Sequence, residues 1–234
     1  MTRETPVAAR VGGASLVLAA VGFVAVFGWL AAHFGYPDVL DARAAEVLPK
    51  LLASGPRGRA VWFVYAFLPL LLVPAALGAR AALGAVAQAT LRAATILATV
   101  AAVAMLLGLA RWPTVHWELA RAWGDASPDA RVALAAAFDG LNAYLGNAIG
   151  EFLGELALNG FFVLTGWALL RAGRRAAGSA GMAIGALGLV AALRNVMPAV
   201  GFVSEIDNVL LPLWLVALGV LLATGRAGPV SSAS

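Results

Sequence analysis

No cysteine occurs in these 234 residues, which excludes disulfides and thiolate metal sites. Histidine is nearly as scarce: His33 and His116 are the only two, too few for a histidine-rich metal centre. Charge is thin as well. Asp, Glu, Lys and Arg make up 12% of the chain and apolar residues 62%, where a soluble domain has about 25% and about 45–50%. Mean hydropathy is +0.89, and no polar stretch is long enough to fold as a separate soluble unit. Also missing are a nucleotide loop, a zinc-protease helix and a nucleophile motif. The sequence therefore leans away from an enzyme and calls for no cofactor.

What is present is a membrane composition. The pI near 10.3 does not point to nucleic acid, because the arginines stand at the ends of apolar runs and form no basic stripe. A helix crosses a hydrocarbon layer about 30 Å thick in about 20 residues. Six runs meet that length: 12–34, 60–79, 93–110, 149–170, 176–193 and 206–224. The fourth contains Glu151 and Glu155, and the sixth contains Asp207. Residues 1–234 thus read as a single all-α integral membrane domain, a polytopic transmembrane helical bundle of six spans. The apolar core of the first run exceeds the roughly 7–15 residues of a signal peptide, so it is read as a retained span.

Two connections are long and amphipathic. In FGYPDVLDARAAEVLPKLLASG, apolar Leu40, Ala44, Val47, Leu48 and Leu51 alternate at helical spacing with Arg43, Glu46 and Lys50. The pattern predicts a short interfacial helix with Asp38 as its N-terminal cap. Ser127, Pro128 and Asp129 predict the start of a second one, with Ser as cap and Pro at the first helical position. His33 and His116 read as interfacial residues.

Lys and Arg divide evenly between the two sets of loops, but the RAGRR run at Arg171–Arg175 is the densest cluster. That places both termini in the cytoplasm of a bacterial inner membrane, the lipid bilayer being the first partner. All acids except Glu4 then fall on the other face.

The chemistry is concentrated in NAYLGNAIGEFLGELALNG. Asn147, Glu151, Glu155 and Asn159 recur every four residues and form one polar stripe on an α-helix. Gly146, Gly150 and Gly154 recur beside it and allow close helix packing. Carboxylates inside a span are costly and face a cavity, a partner charge or a proton path. Two like charges one turn apart repel, which favours proton or cation uptake. Arg194 and Asp207 stand where they can complete an outward-facing polar cavity. A second reading of the same pair stays open, in which both acids lie at headgroup level, solvated or paired with Arg111 or Arg194. Two functions follow. One is a carrier or sensory protein that binds a cation or small solute in the cavity. The alternative is a membrane scaffold or interaction protein that packs through its glycine face against a second copy or a membrane partner.

The FGYPDVLDARAAEVLPK segment, the RWP block at Arg111–Pro113 and the later YLGNAIGEFLGE together carry a resemblance. The chain resembles a family of uncharacterised six-span membrane proteins common in actinobacteria, domain of unknown function four-three-eight-six. Glu151 matches an acidic position of that pattern. Asn142 stands where some members carry His, so the resemblance implies no His-dependent site here. It implies an architecture and no activity.

Overall fold

The computed structural model describes residues 5–229, and among these the chain is helical throughout, with no strand. Nine α-helices are α1 (Val7–Phe34), α2 (Ala44–Ala53), α3 (Gly55–Phe67), α4 (Leu72–Ala110), α5 (Trp117–Gly124), α6 (Pro128–Leu141), α7 (Gly154–Arg171), α8 (Arg175–Ala192) and α9 (Gly201–Ala223). Two π-helical segments, Trp112–His116 and Asn142–Leu153, join α4 to α5 and α6 to α7. Five continuous helical stretches are long and apolar enough to cross a membrane.

One of these stretches runs from Gly55 to Gly124 and holds both the second and the third expected span. The segment between the expected spans 60–79 and 93–110 is mostly Ala, Leu and Val, which favour or tolerate a helix. Only Ala87, at φ −149° and ψ 43°, leaves the helical region. There the chain turns back. Trp62 stacks on Trp112 with ring centroids 4.7 Å apart, whereas a straight helix of fifty residues would separate them by about 75 Å.

The bundle consequently has two ends. At one, Gly12 of α1 meets Gly78 of α4, Thr5 meets Gly225, and the Arg174 guanidinium donates to the Gly228 carbonyl at 3.0 Å. This end carries Arg10, Arg80, Arg92, Arg171, Arg174, Arg175 and Arg226 and, among the described residues, no acid. At the other end lie the Trp62–Trp112 pair, the short helices α2, α5 and α6, and the acidic side chains. We call them the arginine end and the acidic end.

Helices that bury no water between them gain most from small residues that let backbones approach, and the bundle is built that way. A Cβ on Gly13 would lie 2.6 Å from the Ala223 nitrogen of α9, and one on Gly166 2.7 Å from the Met182 nitrogen of α8. Helix α7 is sandwiched between α4 and α8, and α1 between α4 and α9. Phe161, Phe162, Leu83, Leu91 and Leu169 fill the centre. A second apolar cluster sits at the acidic end, where Phe34 meets Trp62 and Trp112 edge-on, each at 5.7 Å. Val47, Leu48 and Leu51 of α2 are wholly buried in it. The left-handed Gly35, φ 78°, ends α1 and lets the chain turn into this cluster.

The expected cap at Asp38 is corrected. Asp38 begins a separate single turn of 3-10 helix (Asp38–Asp41) and makes no capping hydrogen bond; α2 starts later, after Arg43. Extended backbone at Ala42 and Arg43 breaks the continuity that the periodicity suggested. Pro49 is accommodated inside α2, whose exposed side carries the Glu46–Lys50 pair at 2.7 Å. The cap at Ser127 is present: its hydroxyl accepts from the Ala130 amide at 3.3 Å.

Candidate functional site

Polar side chains converge at the acidic end from three elements. Glu151 comes from the π-helical segment, Glu155 from the first turn of α7, and Arg194 from the single turn Leu193–Asn195 that follows α8. The Arg194 guanidinium lies between both acids. Its Nη1 donates to Glu155 Oε2 at 2.5 Å and to the Ala191 carbonyl at 3.3 Å. Its Nη2 donates to Glu155 Oε1 at 2.8 Å and to Glu151 Oε2 at 3.0 Å. The Glu155 contact is the two-pronged geometry that suits a planar guanidinium. Repulsion between the two carboxylates is thereby offset by a shared cation.

Asp207 stands in the second turn of α9, the helix that packs against α8. It is only 8% exposed, and its Oδ1 has no hydrogen-bond partner among the described residues. All four Nη hydrogens of Arg194 are already committed, so those donors cannot satisfy it as well. Asn159 is 1% exposed. Its amide nitrogen donates to the Glu155 carbonyl at 2.9 Å, while its Oδ1 is also without a partner and faces Gly188 of α8.

Asn147 does not join them. It is exposed, and residues 142–153, Glu151 among them, follow a π-helix and not the α-helix from which the four-residue stripe was read. Glu205 and Asn208, neighbours of Asp207, also face outward.

The glycine face packs inside the chain. A Cβ on Gly150 would sit 2.8 Å from the Gly108 Cα of α4, and one on Gly154 2.8 Å from Met105. Gly146 instead receives the Arg111 guanidinium, whose Nη2 would lie 2.6 Å from a Cβ there. Gly150 and Gly154 are thus met by α4, and Gly146 by the arginine that follows it.

Arg111, read with Arg194 as a possible partner of the two acids, forms an ion pair with neither, and its actual contacts were not foreseen. It is 5% exposed, donates from Nε to Asn142 Oδ1 at 2.9 Å and from Nη1 to the Gly108 carbonyl, and lies 5.2 Å from the Trp112 ring. It thus ties the two π-helical segments together. The signal available was RWP at the end of an apolar run, a cation where the helix had to change pitch. Beside it, the hydroxyls of Tyr36 and Tyr65 are 3.3 Å apart. Burial pushes the Tyr36 phenol pKa above its ordinary value, which keeps it a neutral hydrogen-bonding group. His116, read as interfacial, is wholly buried between Trp112 and Phe138, with neither ring nitrogen hydrogen-bonded among the described residues. His33 is exposed and stacks on Trp29 at 4.6 Å.

Among the described residues no group of three or more His, Cys, Asp or Glu is arranged to hold a metal ion. Comparison with known proteins finds no matching family model, no matching curated protein and no matching solved structure.

Proposed function

We propose that the chain is a six-crossing bacterial inner-membrane protein, a carrier or sensor, that takes up a cation or small cationic solute at its acidic end. In this reading α1, the two arms of the hairpin around Ala87, the π-helical segment with α7, α8 and α9 make the six crossings. Helices α2 and α6 lie at the interface. The arginine end and both termini face the cytoplasm, in keeping with the bias of short basic segments toward that side.

The observation that carries the proposal is the buried Asp207 oxygen without a hydrogen-bond partner among the described residues, at the end of the bundle where the Nη hydrogens of Arg194 are shared among Glu151, Glu155 and the Ala191 carbonyl. A buried carboxylate oxygen left without a donor is costly. A proton, a metal cation or an ammonium group supplies what is missing. Arg194 engages Glu151 and Glu155, which leaves the Asp207 oxygen as the group open to a cation.

The test is the melting temperature of the purified protein against concentration of sodium, potassium, magnesium and a primary ammonium ion. A cation that binds the folded protein alone stabilises it by about 2.7 kcal/mol at a hundred times its Kd. At least one of the four should raise the melting temperature of the wild type, and Asp207→Asn should abolish that rise. Flat curves for the wild type, or an undiminished response in Asp207→Asn, would sink the proposal.

A further inference from the structure

The opposite end of the bundle holds a second feature, independent of the acidic cluster. Around the Ala87 turn, a groove of about 470 Å³ is lined by Arg80 from one arm of α4 and by Arg92, Thr95, Ile96, Thr99 and Val100 from the other. Neither arginine has a carboxylate within ion-pair reach or a side-chain hydrogen bond among the described residues. Both are exposed. The hydroxyls of Thr95 and Thr99 spend their protons on the Leu91 and Thr95 carbonyls, at 2.8 and 2.9 Å, and present only lone pairs to the groove.

The order of these residues along the helix gives the groove a polarity. Arg92, Ile96 and Val100 stand one above the other at four-residue spacing, with Thr95 and Thr99 alongside. From Arg92 to Val100 is about 12 Å along the axis. Over that distance the lining passes from two guanidinium groups to a wall where Thr95 stands level with Ile96 and Thr99 level with Val100. Ile96 is 64% exposed. A phospholipid complements the two ends of this groove, with an anionic phosphate against the guanidinium groups and an acyl chain along the exposed apolar side chains.

We infer that this groove binds an anionic phospholipid, its phosphate on Arg80 and Arg92 and the start of one acyl chain along Ile96 and Val100. Charge complementarity selects the occupant. The surrounding end adds Arg10, Arg171, Arg174, Arg175 and Arg226 without an acid among the described residues, so a zwitterionic headgroup gains less there than an anionic one. A soluble anion could satisfy the arginines but would leave the apolar half of the groove uncovered. The inference rests on the membrane placement proposed above and not on the acidic cluster.

The test is lipid titration of the purified protein in uncharged detergent, followed by native mass spectrometry. Phosphatidylglycerol, phosphatidylcholine and inorganic phosphate are compared for the wild type, Arg80→Ala, Arg92→Ala and the double variant. Arg226→Ala, at the same end but outside the groove, is the control. Each arginine near an anionic surface is worth about fivefold in affinity. Phosphatidylglycerol should therefore bind about fivefold more weakly to each single variant and about twenty-five-fold more weakly to the double variant, with Arg226→Ala close to wild type. Phosphatidylcholine should bind poorly throughout, and inorganic phosphate should not displace the lipid. Equal retention of the two lipids, equal losses in the control and the double variant, or displacement by inorganic phosphate would each overturn the inference. Asp207→Asn should leave lipid binding unchanged, which separates this outcome from failure of the cation site.

Discussion

Two residues that look alike in the sequence as helix starts behave differently in the fold. Ser127 and Asp38 both stand beside a proline before an amphipathic run, yet only Ser127 holds a backbone amide. Ser127→Ala should accordingly destabilise the acidic end by about 0.5–2 kcal/mol, while Asp38→Ala, an exposed side chain with no capping bond, should stay within about 0.5 kcal/mol. Hydrogen exchange of the amides in α6 and α2 separates the two outcomes; faster exchange in α2 of Asp38→Ala would restore the cap to Asp38. The difference was half legible. Pro128 after Ser127 places proline at the first helical turn, where it fits, whereas Pro37 before Asp38 says only that the chain turns. Glu151, Glu155 and Asn159 could be placed from spacing alone, because each belongs to or borders α7. Asn147 could not, since spacing does not tell which members of a stripe the tertiary packing covers, and Asn147 is left exposed.

At the scale of the element, the glycines of the π-helical segment were legible as a packing face but their partner was not. Periodicity tells which side of a helix is small, and only tertiary geometry tells what comes against it. For Gly150 the partner is Gly108, backbone against backbone, with no flexible side chain to move aside. Gly150→Ala should therefore force α4 and the π-helical segment apart, at a cost of about 1–3 kcal/mol, and loosen the Arg111–Asn142 contact that follows one turn later. Gly84→Ala, in open space on α4, should be neutral or stabilise by up to about 1 kcal/mol. Melting temperatures of the two variants side by side decide it; similar values would mean that the glycine contact is not tight. The same limit applies to the hairpin at Ala87. Its residues favour helix, so nothing local announces the turn, and the reversal follows from how the two arms pack.

For the whole molecule, the sorting of charge to two ends was legible, because it depends only on which loops alternate. Its absolute direction across a membrane was not, since basic residues divide evenly and only their density differs. Single cysteines at Ala53 and Asp125, both exposed at the acidic end, should react with a membrane-impermeant maleimide in intact cells. Cysteines at Ala176 and Pro229, exposed at the arginine end, should react only after permeabilisation. Labelling in the reverse sense would invert the orientation and place the acidic site in the cytoplasm. The Trp62–Trp112 stack has a further consequence at this scale. Two indoles 4.7 Å apart and 14° from parallel couple their excited states, so the acidic end carries its own optical signature. Because the rings belong to opposite arms of one hairpin, any motion that parts those arms weakens the coupling and changes the near-ultraviolet circular dichroism. The protein reports the opening of that end without a label.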